Sequence, residues 1–275
     1  MPKKITLQSK ISLNHGPAIP VLGYGTACVG PRTQIGPMLP IALDAGYRLI
    51  DTAMIYMTER IVGDAISKAH IPRSDIFITT KVWKDAMRAG AVRESAEESL
   101  DNLHLEYVDL LLIHRPLRAF NVEAWHVLED LLAEGKTKAI GVSNFTQAHL
   151  EAIREQSSKV PAVNQIENHP FFYRKELIQY CNQHHILVES YAPLMVGKKL
   201  QDPRLGIIAK SHRKTPAQVI LRWNIQHGFV PIPCSVNAQH IRENAQIFDF
   251  TLSLQEMTEM DGWNENFEIY PDKEE

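Results

Sequence analysis

A repeated alternation constrains this chain most: short, almost wholly apolar segments separated by longer stretches with helical periodicity. The apolar segments lie at residues 21–24, 47–50, 76–80, 107–113, 139–142, 162–165, 186–190 and 229–232. A run such as Leu110-Leu111-Leu112-Ile113 has no polar face, as expected of a strand covered on both sides in a parallel sheet. Between the runs, Val92, Ala96, Ser99, Leu100 and Leu103 share one helical face, as do Trp125, Leu128, Leu131 and Leu132. Thr215-Pro216 reads as an N-cap with proline at the first helical position. Strand–helix alternation with right-handed crossovers builds a parallel sheet, and eight such units can close into an α/β barrel of the (β/α)8, or TIM, type. Ahead of it, segments 10–13 and 18–20 flank Asn14-His15-Gly16, which predicts an N-terminal β-hairpin.

In such a barrel the carboxyl ends of the strands share one face, and that face carries the chemistry. Three successive predicted strands run out into ionisable residues: Asp51, Lys81 and His114, with Tyr56 one loop beyond Asp51. Each has a plainer reading alone: a helix cap, a solvated loop lysine, a packed histidine. Their coincidence at consecutive strand ends favours chemistry. A lysine ammonium beside a tyrosine hydroxyl is expected to lower its pKa, and an aspartate beside that lysine holds it charged. Tyr56 then becomes an acid able to protonate a carbonyl oxygen, with His114 fixing the carbonyl's direction. Side chains cannot supply hydride, so a nicotinamide cofactor is implied.

The bulk properties are those of an ordinary globular chain: 275 residues, 44% hydrophobic, 22% charged, net charge −3. Barrels of this length fold as one unit, so a single domain over 1–275 is expected. The near-neutral charge argues against nucleic acid or an anionic membrane as partner. The N-terminus lacks the apolar stretch of a signal peptide, and no apolar run approaches a bilayer span. Cys28, Cys181 and Cys234 are odd in number and far apart. No disulfide and no metal site are therefore expected, and a reducing, cytoplasmic setting fits. Gly23-Tyr24-Gly25 does not continue into a GxGxxG fingerprint, so a Rossmann site is not expected.

Several motifs are specific. Gly46-Tyr47-Arg48-Leu49-Ile50-Asp51-Thr52-Ala53-Met54-Ile55-Tyr56 resembles the signature of the aldo-keto reductases. So do Thr80-Lys81-Val82-Trp83, Leu112-Ile113-His114, Gly141-Val142-Ser143-Asn144-Phe145 and Asn164-Gln165-Ile166-Glu167. The resemblance runs from the hairpin to about residue 252. The short connection from Tyr191 to Asp202 is similar to that of compact microbial members such as the diketogluconate reductases. The resemblance implies a (β/α)8 barrel that binds its nicotinamide without a Rossmann unit. It also implies Tyr56 as general acid, Lys81 and Asp51 as its tuning pair, and His114 as the substrate-orienting residue. Ser143, Asn144 and Gln165 would meet the nicotinamide carboxamide, and Tyr191 would stack on its ring. Ser235, Val236, His240, Glu243 and Asn244 would hold the adenosine end.

Two departures stand out. Cys234 and His240 replace the family's usual Lys and Arg. NADPH is thus expected by family precedent, while loss of two cations that would grip the 2′-phosphate favours NADH use. Beside the histidine, Arg115 replaces the usual Trp, and Ala27 stands where an aromatic often sits. With Trp83, these two are the expected substrate-binding residues, and Met54 and Met195 are expected as further apolar lining. An arginine there suits acidic or polar carbonyl substrates. The expected protein is a monomeric carbonyl reductase. The alternatives are a cofactor-binding barrel with a regulatory role, and a barrel hydrolase or isomerase using His114 and Asp51.

Overall fold

The computed structural model describes residues 4–271. A hairpin of β1 (Lys10–Ile11) and β2 (Ile19–Pro20) precedes eight parallel strands: β3 (Tyr24–Gly25), β4 (Leu49–Asp51), β5 (Phe77–Val82), β6 (Leu110–Ile113), β7 (Ile140–Ser143), β8 (Val163–Glu167), β9 (Leu187–Tyr191) and β10 (Val230–Pro231). Helices α1 (Ile35–Asp44), α2 (Glu59–Lys68), α3 (Lys84–Arg88), α4 (Val92–Leu103), α5 (Asn121–Ala133), α6 (Gln147–Gln156), α7 (Lys175–Gln183), α8 (Pro203–His212) and α9 (Pro216–Gln226) fill the crossovers. Helices α10 (Ala238–Ala245) and α11 (Leu254–Asp261) follow the last strand. Each barrel strand overlaps one of the predicted apolar segments.

The alternation of each strand sorts its side chains into two cores. Leu49, Phe77, Leu110, Leu112, Val163 and Val230 point inward and pack with Ile19 of the hairpin. Ile50, Ile78, Leu111, Ile113, Val142, Ile166 and Val188 point outward into the layer beneath the helices. The hairpin turn docks at the amino ends of the strands. Asn14 donates to the carbonyls of Pro161 and His185, and His15 Nε2 accepts from the Ile140 amide.

The strand ladder runs β3 to β10 in chain order, and backbone hydrogen bonds close it into a ring. Gly23 N donates to Pro231 O at 3.0 Å, and Gly25 N to Pro233 O at 3.1 Å. The seam strands are two residues each, because Pro231 and Pro233 offer carbonyls but no N–H. Closure also overturns one expectation. Cys28, just beyond β3, and Cys234, just beyond β10, form a disulfide across the seam, although 206 positions separate them. Sequence distance misleads here because a closed barrel makes its first and last strands neighbours. Cys181 is free and buried.

Candidate active site

The inward positions at the carboxyl ends of the strands form one polar layer. Along β4 the inward residues are Leu49 and Asp51; along β5 they are Phe77, Thr79 and Lys81. In β8 and β9 the same face carries Gln165 and Glu189, which stand opposite each other in the ladder. His114 follows β6 directly, and its amide donates to Val82 O. Thus a period-two pattern that places Leu and Phe in the lower barrel places charge at its mouth.

Lys81 is fully buried. Its Nζ donates to both Asp51 oxygens, at 2.6 and 2.7 Å, and to Thr52 O at 2.9 Å. Lys81 also acts on Tyr56 through its charge and a side-chain hydrogen bond, both of which lower the tyrosine pKa. Desolvation disfavours the charged lysine, but Asp51, Tyr56 and Glu189 together more than offset it, so the Lys81 pKa lies above its ordinary value. The ammonium lies 5.0 Å from the centroid of the Tyr56 ring. Tyr56 Oη lies 3.2 Å from His114 Nε2, and the Trp83 ring meets His114 edge-on.

The expected depression of the Tyr56 pKa is not found: burial pushes it above the ordinary value, with the Lys81 charge opposing. The reason is that burial outweighs the charge and hydrogen bond of Lys81, and the Asp51 carboxylate itself raises the tyrosine. Tyr56 consequently keeps its proton through the neutral range. Burial, Lys81 and Arg115 all hold His114 well below its usual pKa, so the imidazole is neutral. Its Nδ1 is buried without a hydrogen-bond partner among the described residues.

Around this group lies a cleft of about 990 Å³. Asp51, Tyr56, His114, Ala27, Trp83 and Arg115 line it, as do Ser143, Asn144, Gln165, Tyr191, Ser235, Val236, His240, Glu243 and Asn244. Lys81 sits beneath its floor. The structure therefore brings every predicted site residue to one place. Met54 and Met195 are exceptions to the expected apolar lining. Met54 faces α4, where Ser95 Oγ donates to its sulfur, and Met195 is buried in the core. Ile55, Leu194 and Val196 line the cleft instead.

The amide and hydroxyl trio is tightly ordered. Asn144 adopts a left-handed backbone (φ +64°), which asparagine tolerates better than most residues. Its Nδ2 donates to His114 O and Ser143 Oγ, and its Oδ1 accepts from Tyr191 Oη at 2.8 Å. Gln165 Nε2 donates to Asp51 at 2.8 Å and to Glu189 at 2.7 Å. These side chains present a ring, a hydroxyl and amide groups to the cleft, which suits a flat heteroaromatic ring bearing a carboxamide.

Sequence reasoning missed three contributors. Glu189 lies beneath Gln165; a charged residue at an inward strand position two before Tyr191 was the available signal. Arg32 adds a cation to the cleft. Tyr270 reaches the cleft from the C-terminal segment, its ring 6.2 Å from that of Tyr191. That segment drapes over the barrel as far as it is described, and residues 272–275 lie outside the described residues.

Comparison with known proteins agrees with the geometry. The sequence model of the Aldo/keto reductase family matches residues 21–265. The oxidoreductase YtbE of Bacillus subtilis (strain 168) is 43% identical over 270 residues, covering 97% of this chain and 96% of that protein. A glyoxal reductase of the same organism is 40% identical, covering 98% of each. The crystal structure of a Bombyx mori aldo-keto reductase in complex with NADP superposes with a TM-score of 0.90 at 32% identity, covering 97% of this chain and 96% of the other. These matches support catalysis rather than the regulatory alternative. From its barrel, its cleft and its sequence, the chain belongs to the aldo/keto reductase family, and it is an NAD(P)H-dependent oxidoreductase that reduces carbonyl compounds.

Proposed function

We propose that Tyr56 is the general acid of this reductase, with Lys81 and Asp51 setting its charge environment and neutral His114 orienting the substrate carbonyl. The observation that carries this reading is the buried Lys81–Asp51 pair, at 2.6 Å, beneath Tyr56 and His114. When bound, the nicotinamide supplies hydride to the carbonyl carbon. As charge builds on the oxygen, Tyr56 Oη gives up its proton, and the nearby ammonium stabilises the developing phenolate. The imidazole, uncharged, donates a hydrogen bond without competing as an acid. Ser143, Asn144 and Gln165 hold the carboxamide and Tyr191 backs the ring. The 235–244 segment takes the adenosine end.

Two finer assignments belong to the same reading. The permanent cations lining the cleft are Arg32 and Arg115, and none lies in the 235–244 stretch. Arg242 is exposed and donates to Ala238 O of its own helix. The enzyme therefore accepts NADH alongside NADPH. Arg115 lines the cleft and its charge reaches Tyr56, His114 and Tyr191. This favours small polar carbonyl compounds, dicarbonyls and oxo acids included, and the likeness to a glyoxal reductase supports the same class.

The test is a set of initial rates with glyoxal, a neutral aldehyde and an oxo acid, run with each cofactor. Turnover is expected with both cofactors, with kcat/KM higher for the oxo acid than for a neutral analogue of equal size. Tyr56→Phe should lose about 10²–10⁴-fold in kcat while still binding cofactor. Full activity in Tyr56→Phe would remove the proposed acid. Strict NADPH dependence would remove the cofactor assignment.

A further inference from the structure

The cysteine pair at the barrel seam is not needed for carbonyl reduction, yet it sits in the cleft. Cys28 and Cys234 are both half-buried and both line it. Their Cα atoms are 5.3 Å apart, within the range a disulfide spans without backbone movement. The bond ties the loop that rises from β3 to the one that rises from β10. Val29 and Arg32 continue the first loop along the cleft, while Ser235 and Val236 continue the second toward α10.

A dinucleotide reaching from Tyr191 to Asn244 has to pass along the β10 loop, beside Cys234. With the bond formed, the β3 loop is tied at Cys28 to the β10 loop beside that path. With the bond broken, the loop stays anchored as far as Thr26, whose amide and hydroxyl both donate to Asp51 O, and again from the buried Ile35 at the start of α1. The loop between is then free to move and the two thiols to part. Ala27 and Val29, on either side of Cys28, are exposed, so a small thiol reagent can reach the pair. Cys181 does not compete: it is fully buried, and burial pushes its thiol up to about 11, which leaves little thiolate for exchange.

We propose that Cys28 and Cys234 form a reversible thiol–disulfide site that gates cofactor entry, the oxidised form binding nicotinamide cofactor more weakly than the reduced form. The proposal rests on the cleft being the cofactor site. The oxidant is a low-molecular-weight disulfide, such as oxidised glutathione. One cysteine, as thiolate, attacks a sulfur of the small disulfide, forming a mixed disulfide and releasing one small thiol. The second cysteine displaces the other small thiol. Two protein thiols are oxidised to one disulfide, one small disulfide is reduced to two thiols, and the two protons end on those thiols. A dithiol reverses the step.

The experiment uses the whole protein equilibrated in glutathione buffers of graded ratio. Alkylation of the denatured chain reports its thiols: three when reduced, one when the pair is oxidised. Cofactor Kd is read at each ratio from tryptophan fluorescence quenching by NADPH and by NADH. The expected result is a Kd at least about tenfold higher for the oxidised form, with a matching shift of the glutathione midpoint when NADPH is present, because the coupling is reciprocal. Cys28→Ser and Cys234→Ser should each abolish the dependence of Kd on the buffer. Equal Kd in fully reduced and fully oxidised protein overturns the gate. So does a dependence that survives in both serine variants. If the reduced protein binds neither cofactor, the cofactor reading falls first and the gate with it, an outcome distinct from equal, measurable affinities.

Discussion

Glu189 shows how much a single inward position can carry. Its side chain is fully buried, one oxygen accepting from Gln165 and the other without a partner. Desolvation, then the nearby Asp51 carboxylate, push its pKa up to about 8. At neutral pH it is therefore mostly protonated, which removes a second buried negative charge from beside Asp51. A folded-state pKa above the unfolded value of 4.5 means that the native state binds this proton more tightly. Its stabilising contribution is present below pH 4.5 and is lost as pH rises through about 8. Glu189→Gln keeps the shape and cannot ionise. Its melting temperature should gain on that of the parent across that interval, and thermal melts from pH 5 to 9 check it. Parallel melting curves for the two proteins would refute the assignment. Its place two residues before Tyr191 is visible in the sequence, but its pKa is not, since that follows from residues on other strands.

At the scale of elements, local rules were sufficient for the helices. Thr215 caps α9 as its sequence predicts: its Oγ1 accepts from Gln218 N, and Gln218 Oε1 accepts from Thr215 N. The apolar face of α4 (Val92, Ala96, Leu100 and Leu103) is buried throughout. The C-terminal segment is different, because its position depends on one distant carboxylate. Glu167, at the end of β8 and nearly inaccessible, accepts from Ile269 N at 2.7 Å and Tyr270 N at 3.0 Å. His169 Nε2 lies 3.0 Å from the same side chain. Hydrogen bonds to a charged group contribute about 1.5–3 kcal/mol each. Glu167→Gln keeps one acceptor oxygen and loses the charge. Amide hydrogen exchange in the segment around Tyr270 should then accelerate by about tenfold or more, while the barrel strands keep their protection. Unchanged exchange there would show that packing alone holds the segment.

For the molecule as a whole, the seam between β3 and β10 is the vulnerable line. It relies on backbone hydrogen bonds between very short strands and on a glycine that allows them to approach. A Cβ at Gly25 would stand 2.9 Å from Ile232 O, a backbone atom that cannot turn away. Gly25→Ala should therefore cost about 1–3 kcal/mol of stability, the usual range for overpacking a tight interior site. Its effect on cofactor affinity should be visible too, since Gly25 itself lines the cleft. Denaturant titration checks the first and fluorescence quenching the second. A variant as stable as the parent would mean that the seam can widen without loss.

The sequence by itself determined the elements and the buried faces of the helices, because both depend on neighbours a few residues away. Strand ends put Asp51, Lys81 and His114 on one face of the barrel, and the motifs around them carried the family resemblance. Only the tertiary structure decided what those groups do to one another. The expected lowering of the Tyr56 pKa failed because its burial and the nearness of Asp51 are properties of the assembled barrel. Met54 and Met195 left the cleft because loop paths, not periodicity, set their direction. Cys28 and Cys234 became partners because closing the barrel joins chain segments 206 residues apart, a distance over which local sequence carries no information about contact.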